Sequence, residues 1–127
     1  MDHQQSQAYL LAKPQSALST PFGPEVAVFK VANKMFATLA LGKGGEHWWM
    51  NLKCDPNEAQ ALRDIFSAVI PGYHMNKAHW NTVILDGSIP SGEIQRMIDN
   101  SYLLVVASLP KKTQAPLLLQ LSHHTAP

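Results

Sequence analysis

The residues best suited to chemistry lie between positions 70 and 90, in the stretch IPGYHMNKAHWNTVILDGSIP. Between a Pro-Gly pair at its head and Gly-Ser-Ile-Pro at its tail, it holds two histidines, one lysine, two asparagines, one tyrosine and one tryptophan, with no acid before Asp86. Such side chains can donate hydrogen bonds, contact phosphates and stack on rings. The segment is therefore a candidate for catalysis, for gripping a partner, or for bracing the fold.

Metal binding and catalysis find little support in these residues. His74 and His79 are five positions apart, a spacing that puts them on different faces of a helix and on opposite faces of a strand, and no acid lies between them. Cys54 could be a nucleophile beside either histidine, but no catalytic motif surrounds it. GKGG at 42–45 lacks the Lys-Ser/Thr of a phosphate-binding loop and indicates a hairpin turn. The sequence predicts no catalytic residue, no metal site and no cofactor.

Composition indicates one globular domain in the cytoplasm. The chain has 127 residues, of which 46% are hydrophobic and 15% charged, with a net charge of +1. A single cysteine excludes an internal disulfide and suits a reducing compartment. The start, MDHQQSQ, lacks the basic and apolar regions of a signal peptide, and no apolar run approaches the roughly 18 residues of a membrane span. We expect a single domain over 1–127, with a core at about 3–110 and a flexible tail at about 111–127.

Hydrophobic periodicity and turn residues predict an α+β fold. Asn33-Lys34 reads as a tight hairpin join, and Asp55 as the cap of a helix with Pro56 in its first turn. The predicted order is α-β-β-β-α-β-α: helix 3–13, strands 26–32, 35–41 and 48–53, helix 55–66, strand 80–86, and a helix from 90 to 109. This order predicts one antiparallel sheet with helices packed on one face.

Charge is distributed unevenly over these elements. The predicted strands and their loops are basic and the helices are acidic, a dipole that can orient a domain toward a polyanion. If Met50 and Leu52 face the helices, strand alternation turns Trp49, Asn51 and Lys53 away from them. By the same alternation, Lys30 points away from the helices on its own strand. Such a face could hold phosphates and stack bases. Alternatively, it is a solvated face whose Trp49 packs under the 70–79 loop.

Four stretches resemble the MmcQ/YjbR family of small bacterial proteins over about residues 8–112: FKVANKMFATL, NLKCDP, PGYHMNKAHWNTVILDGSIP and IDNSYLLVVASLPKK. The resemblance implies a CyaY-like, frataxin-like α+β fold and DNA binding through a double-wing arrangement of strands and loops. It marks HMNKAHWN as the signature loop and NLKCDP as its neighbour, which makes these residues candidates: Lys53, His74, Asn76, Lys77, His79 and Trp80. Iron binding is not implied, because the acidic first helix of frataxins is here reduced to Asp2.

The favoured hypothesis is a DNA-binding module that could serve a regulatory role. Its phosphate contacts would come from Lys30, Lys53 and Lys77, and its sugar or base contacts from Asn76, His79 and Trp80. Since His74 and His79 gain charge below about pH 6.5, binding should strengthen on acidification.

Two other hypotheses stay open. The protein could be a protein- or peptide-interaction domain, or a homodimer, whose aromatic outer face binds with little salt dependence. An enzyme would need a deep pocket lined by the side chains of residues 74–79.

Overall fold

The computed structural model describes residues 1–125, which form a six-stranded sheet and four helices. In chain order the elements are α1 (His3–Leu11), β1 (Ala17–Ser19), β2 (Val26–Val31), β3 (Lys34–Leu41), β4 (Trp48–Lys53), α2 (Pro56–Ile65), β5 (Val69–Pro71), β6 (Trp80–Ile84), α3 (Ser91–Ala107) and α4 (Lys111–Thr125). The strands lie in the order β1-β2-β3-β4-β6-β5, and every neighbouring pair is antiparallel. The predicted α+β class is confirmed.

The predicted element order was incomplete, because β1, β5 and α4 were missed. β1 and β5 are three residues long, so they show no periodic pattern of their own and depend on pairing with β2 and β6. The segment predicted to be a flexible tail instead forms α4, whose Leu117 is buried in the core. The Gln114 side chain donates a hydrogen bond to the Leu109 carbonyl at 2.6 Å and so ties α4 to the end of α3.

Local signals explain where the predicted elements begin. The Asp55 carboxylate accepts hydrogen bonds from the backbone N–H groups of Asn57 and Glu58, which confirms the predicted cap of α2. The β2–β3 turn lies at Ala32-Asn33, one residue earlier than predicted. Both turn residues have positive φ (48° and 66°), as the tight turns that suit the twist of a hairpin require.

One hydrophobic core lies between the sheet and the helices. It contains Phe29, Leu39, Met50, Leu52 and Val83 from the inner face of the sheet. All four helices contribute to the same core, through residues that include Leu10, Leu62, Ile98, Tyr102 and Leu117. The helices therefore cover one face, which we call the inner face, and leave the opposite one, the outer face, to solvent and to the loops.

Candidate functional site

The centre of the outer face is a row of side chains from four adjacent strands. Strand register places Val28, Thr38, Asn51 and Thr82 side by side. The Thr82 hydroxyl donates to Asn51 Oδ1 and accepts from the backbone N–H of Tyr73 at 2.8 Å. The Asn51 amide donates to the Tyr73 carbonyl at 3.2 Å. The side chains of Asn51 and Thr82 thus hold the backbone of Tyr73 against the sheet through hydrogen bonds.

The 72–79 loop, which joins β5 to β6, is held by its own polar residues. Asn76 Oδ1 accepts hydrogen bonds from the backbone N–H groups of Ala78 and His79 at 2.9 and 3.3 Å. Lys77 Nζ donates to the Gly72 carbonyl at 3.2 Å. Asn76 and Lys77 are therefore engaged in shaping the loop that the sequence marked as a binding segment.

Arg63 of α2 fixes the end of this loop. Its guanidinium donates to the carbonyls of Lys77 and Trp80 and to Asn81 Oδ1, the last at 2.7 Å. Asn81 is buried, and its amide in turn donates to the Ala59 carbonyl at 3.3 Å. The loop is consequently anchored to α2 as well as to the sheet.

A groove of about 430 Å³ runs over the outer face beside this loop. Its lining includes Phe22, Thr38, Lys43, Trp49, Tyr73 and His74. The Trp49 and Tyr73 rings meet edge to face with centroids 5.4 Å apart, and the Tyr73 and His74 rings are 4.0 Å apart. Phe22 is 72% exposed and Tyr73 40% exposed, so both rings are open to a ligand. Among the described residues that line the groove, none carries a carboxylate.

Two backbone features give the groove its shape. At Gly42 the Trp49 indole occupies the space that a Cβ atom would need, so only glycine allows this close packing. His74 has a φ of 61°, an unfavourable backbone conformation for a residue with a side chain. It directly follows Tyr73, whose backbone is hydrogen-bonded to Asn51 and Thr82. Glycine on one side and a strained loop residue on the other therefore hold the aromatic rings in place.

The candidate residues from the sequence do not gather at one point. His74 lines the groove, whereas the exposed His79 lies outside its lining. Lys53 pairs with Trp80 across β4 and β6 at one end of the outer face. Trp80 is only 9% exposed, so the expected contact between its ring and a sugar or base finds no open surface.

Lys30 lies farther from the groove, on β2. It lines a separate cleft of about 650 Å³ between β1 and α4. Its strand is two positions from that of Lys53 in the sheet, which puts the two backbones about 10 Å apart in the pairing direction. Neither Lys30 nor Lys53 lines the groove, and Lys30 lies in a cleft that α4 also lines.

Sequence reasoning left Phe22, Thr38, Lys43 and Tyr73 out of the candidate set, although all four line the groove. Strand alternation would have placed Thr38 on the outer face, since its neighbours Ala37 and Leu39 are both in the core. Phe22 lies in a Pro-Gly-rich loop whose course the sequence does not reveal. Trp49 packs against the loop residue Tyr73, as the alternative hypothesis of a braced sheet face predicted.

Cys54 is poorly suited to be a nucleophile. The thiol is buried, and burial raises its pKa from 9.0 to about 11, with further increases from the charges of Glu58 and Asp55. Among residues 1–122, whose side chains the structure describes, no group of three or more His, Cys, Asp or Glu could hold a metal ion. In the same part of the chain, no helix is both long enough and apolar enough to cross a membrane.

An antiparallel sheet has helices packed on one face and an aromatic groove on the other, which defines an α+β protein. The chain belongs to the YjbR family, because the family model described as YjbR matches residues 11–104. The resemblance found in the sequence is thereby confirmed.

Proteins from Escherichia coli and Deinococcus radiodurans are similar to this chain in sequence or in structure. The chain is 37% identical to the uncharacterized protein YjbR of Escherichia coli strain K12, with 89% of this chain and 93% of the relative covered. It is 36% identical to the uncharacterized protein YbdF of Escherichia coli O157:H7, over 88% of this chain and 90% of the relative. The crystal structure of Deinococcus radiodurans protein DR2400, with a DUF419 domain, aligns with a TM-score of 0.82 at 31% identity, covering 91% and 87% of the two chains.

Proposed function

We propose that this protein is a nucleic-acid-binding protein of the cytoplasm that contacts DNA through the outer face of its sheet. One observation carries the proposal: an open groove lined by aromatic rings and cationic or polar side chains, with no carboxylate among its described lining. Exposed aromatic rings stack on bases, while lysines hold phosphates. The groove offers both kinds of contact within one surface.

The phosphate contacts are assigned to Lys43 in the groove and to two lysines that lie outside its lining. Lys43 lines it, Lys53 lies at one end of the outer face, and Lys30 lies two strands farther on. In this proposal the double wing consists of the β3–β4 connection, which supplies Lys43, and the 72–79 loop, which supplies His74. The proposal retains the CyaY-like fold and the absence of catalysis expected from the sequence.

The open aromatic rings favour strands whose bases are unpaired. Phe22 and Tyr73 expose 72% and 40% of their surfaces, and a ring in that position can stack only on a base that has left its own duplex. We therefore expect single-stranded DNA to bind more tightly than a duplex of the same sequence.

Fluorescence anisotropy with labelled single-stranded and duplex DNA, at low and at physiological salt, tests the proposal. Lys43→Ala/Lys53→Ala should weaken binding and lower the salt slope by about 1.4, which corresponds to two lost phosphate contacts on a single strand. The matched control is Lys111→Ala/Lys112→Ala, which removes the same charge from exposed positions on α4. Absence of binding by the unchanged protein at low salt, or equal loss in both double variants, would show that the proposal is wrong.

A second candidate function is the docking of an apolar segment of another protein or of a second copy of this chain. Phe22 is 72% exposed and Leu41, which also lines the groove, is 51% exposed. Binding of that kind would depend little on salt. Light scattering of the purified protein, with Phe22→Ser as the variant, would detect self-association and show whether it uses this face.

A further inference from the structure

The hydroxyl of Thr38 is a polar group of the groove that the protein itself leaves without a hydrogen bond. Thr38 lies in the centre of β3, between Val28 and Asn51 in the row across the outer face. The residue is 8% exposed and lines the groove. Within the described part of the chain, this hydroxyl has no hydrogen-bond partner. A hydroxyl that faces a groove and makes no hydrogen bond within the protein is free to meet a ligand.

Its polar neighbours in the row are, by contrast, already engaged. Asn51 uses its amide on the Tyr73 carbonyl and its oxygen on the Thr82 hydroxyl. The Thr82 hydroxyl also accepts from the Tyr73 N–H. These two side chains serve to hold the loop, so Thr38 is the member of the row that remains available.

We infer that the groove binds a single unpaired nucleobase, whose ring stacks on the exposed aromatic side chains and whose edge hydrogen-bonds to Thr38. This inference rests on the proposed function and names the part of the nucleic acid that enters the groove. A threonine hydroxyl both donates and accepts, so it can meet either kind of group on a base edge. A volume of about 430 Å³ lies in the usual range for sites that hold a small ring-containing group.

The polar side chains that line the groove favour a nucleotide over an apolar peptide. Lys43 and His74 both line it, and the described lining contains no carboxylate to oppose a phosphate. A base seated over Thr38 would leave its own phosphate near these two side chains. The groove thereby combines stacking, edge recognition and phosphate contact for one nucleotide unit.

The test compares Thr38→Val with the unchanged protein on short strands of dA, dC or dT and on an abasic strand of equal length. The unchanged protein should bind the base-containing strands at least about 10-fold more tightly than the abasic one, because stacking is lost without bases. Thr38→Val keeps the shape and removes the hydroxyl, so it should reduce this preference by about 3- to 10-fold for the base that is best bound. Thr38→Ser should largely restore it.

Thermal unfolding separates recognition from a structural role. Since the Thr38 hydroxyl has no partner within the described residues, Thr38→Val should leave Tm unchanged or raise it. The matched control, Thr82→Val, removes a hydroxyl that is bonded to both Asn51 and Tyr73, and should lower Tm.

Three results would overturn the inference in distinguishable ways. Equal binding of abasic and base-containing strands would show that the groove does not bind a base, while DNA binding itself would stand. A lower Tm for Thr38→Val with unchanged base preference would make Thr38 a structural residue. No binding of any strand at low salt would refute the proposed function itself, and the inference with it.

Discussion

Ser101 of α3 should be among the most sensitive small side chains in the fold. Its hydroxyl donates to the Phe36 carbonyl at 2.6 Å and accepts from the backbone N–H of Lys53 at 2.9 Å. The regular β3–β4 pairing ends at Ala37 and Leu52, immediately before these two groups. The serine hydroxyl therefore bonds to the two backbone groups that follow the last β3–β4 pair, and it joins the sheet to α3.

Replacing Ser101 by alanine leaves both backbone groups without this partner. An unsatisfied buried polar group costs about 1–3 kcal/mol. Phe36 and Ser101 are fully buried, whereas Lys53 is half-buried, so we expect the free energy of unfolding to fall by about 2–4 kcal/mol. That loss is a large part of the 5–15 kcal/mol typical of a domain. With a urea m-value of about 2 kcal/mol/M, the unfolding midpoint should drop by about 1–2 M.

Urea unfolding followed by far-UV circular dichroism measures this change. The matched control is Ser108→Ala at the C-terminal cap of the same helix, where the residue is exposed and its hydroxyl donates only to the Val105 carbonyl at 2.6 Å. This control should cost less than about 1 kcal/mol. Equal losses in the two variants would mean that the Lys53 N–H and the Phe36 carbonyl find other partners, and that the serine bridge is dispensable.

Three further predictions concern the groove, the loop and the buried thiol. Gly42→Ala should cost about 1–3 kcal/mol and shift tryptophan fluorescence, because its Cβ would collide with the Trp49 indole; Gly92→Ala, which meets no atom within 4 Å, should show neither effect. Arg63→Ala should speed amide hydrogen exchange in the 72–79 loop and leave α1 unchanged, since the loop loses its bonds to the guanidinium; equal exchange in both proteins would contradict this. Burial raises the pKa of the Cys54 thiol to about 11, so as pH rises above 9 the thiol loses its proton in the unfolded chain before it does so in the folded protein. The free energy of unfolding should therefore decline between pH 9 and pH 11. Cys54→Ala should flatten that part of the curve of unfolding free energy against pH, and an unchanged slope would be evidence against a buried, neutral thiol.

The sequence predicted the parts of the fold that rest on period-two patterning. Met50 and Leu52 are buried, so the residues between and beside them had to face outward, and Asn51 does lie in the row across the outer face. The same reasoning fails for three-residue strands such as β1, where no period can be recognised. It also failed for α4, which has Pro116 inside it and lies in the segment predicted to be a flexible tail.

The candidate site was harder to predict, for a reason visible in the 72–79 loop. Asn76, Lys77 and Trp80 have the chemical character of binding residues, yet the first two bond to their own loop and the third is buried. Residue type shows what a side chain is able to contact. Whether its partner is the chain itself or a ligand depends on a loop conformation that no local pattern specifies.

The family motif and the proposed site consequently occupy different parts of one segment. At Gly72 a Cβ atom would lie 2.7 Å from Trp80 Cβ, and the Gly72 N–H donates to the Trp80 carbonyl at 2.9 Å. Gly72 and Trp80, near the two ends of the PGYHMNKAHW block, thus close the loop. The closed loop places Tyr73 and His74 at the groove. Relatives that keep the closing residues but differ at Tyr73 or Thr38 should therefore share this fold and bind a different ligand, which the strand-binding comparison described above can measure directly.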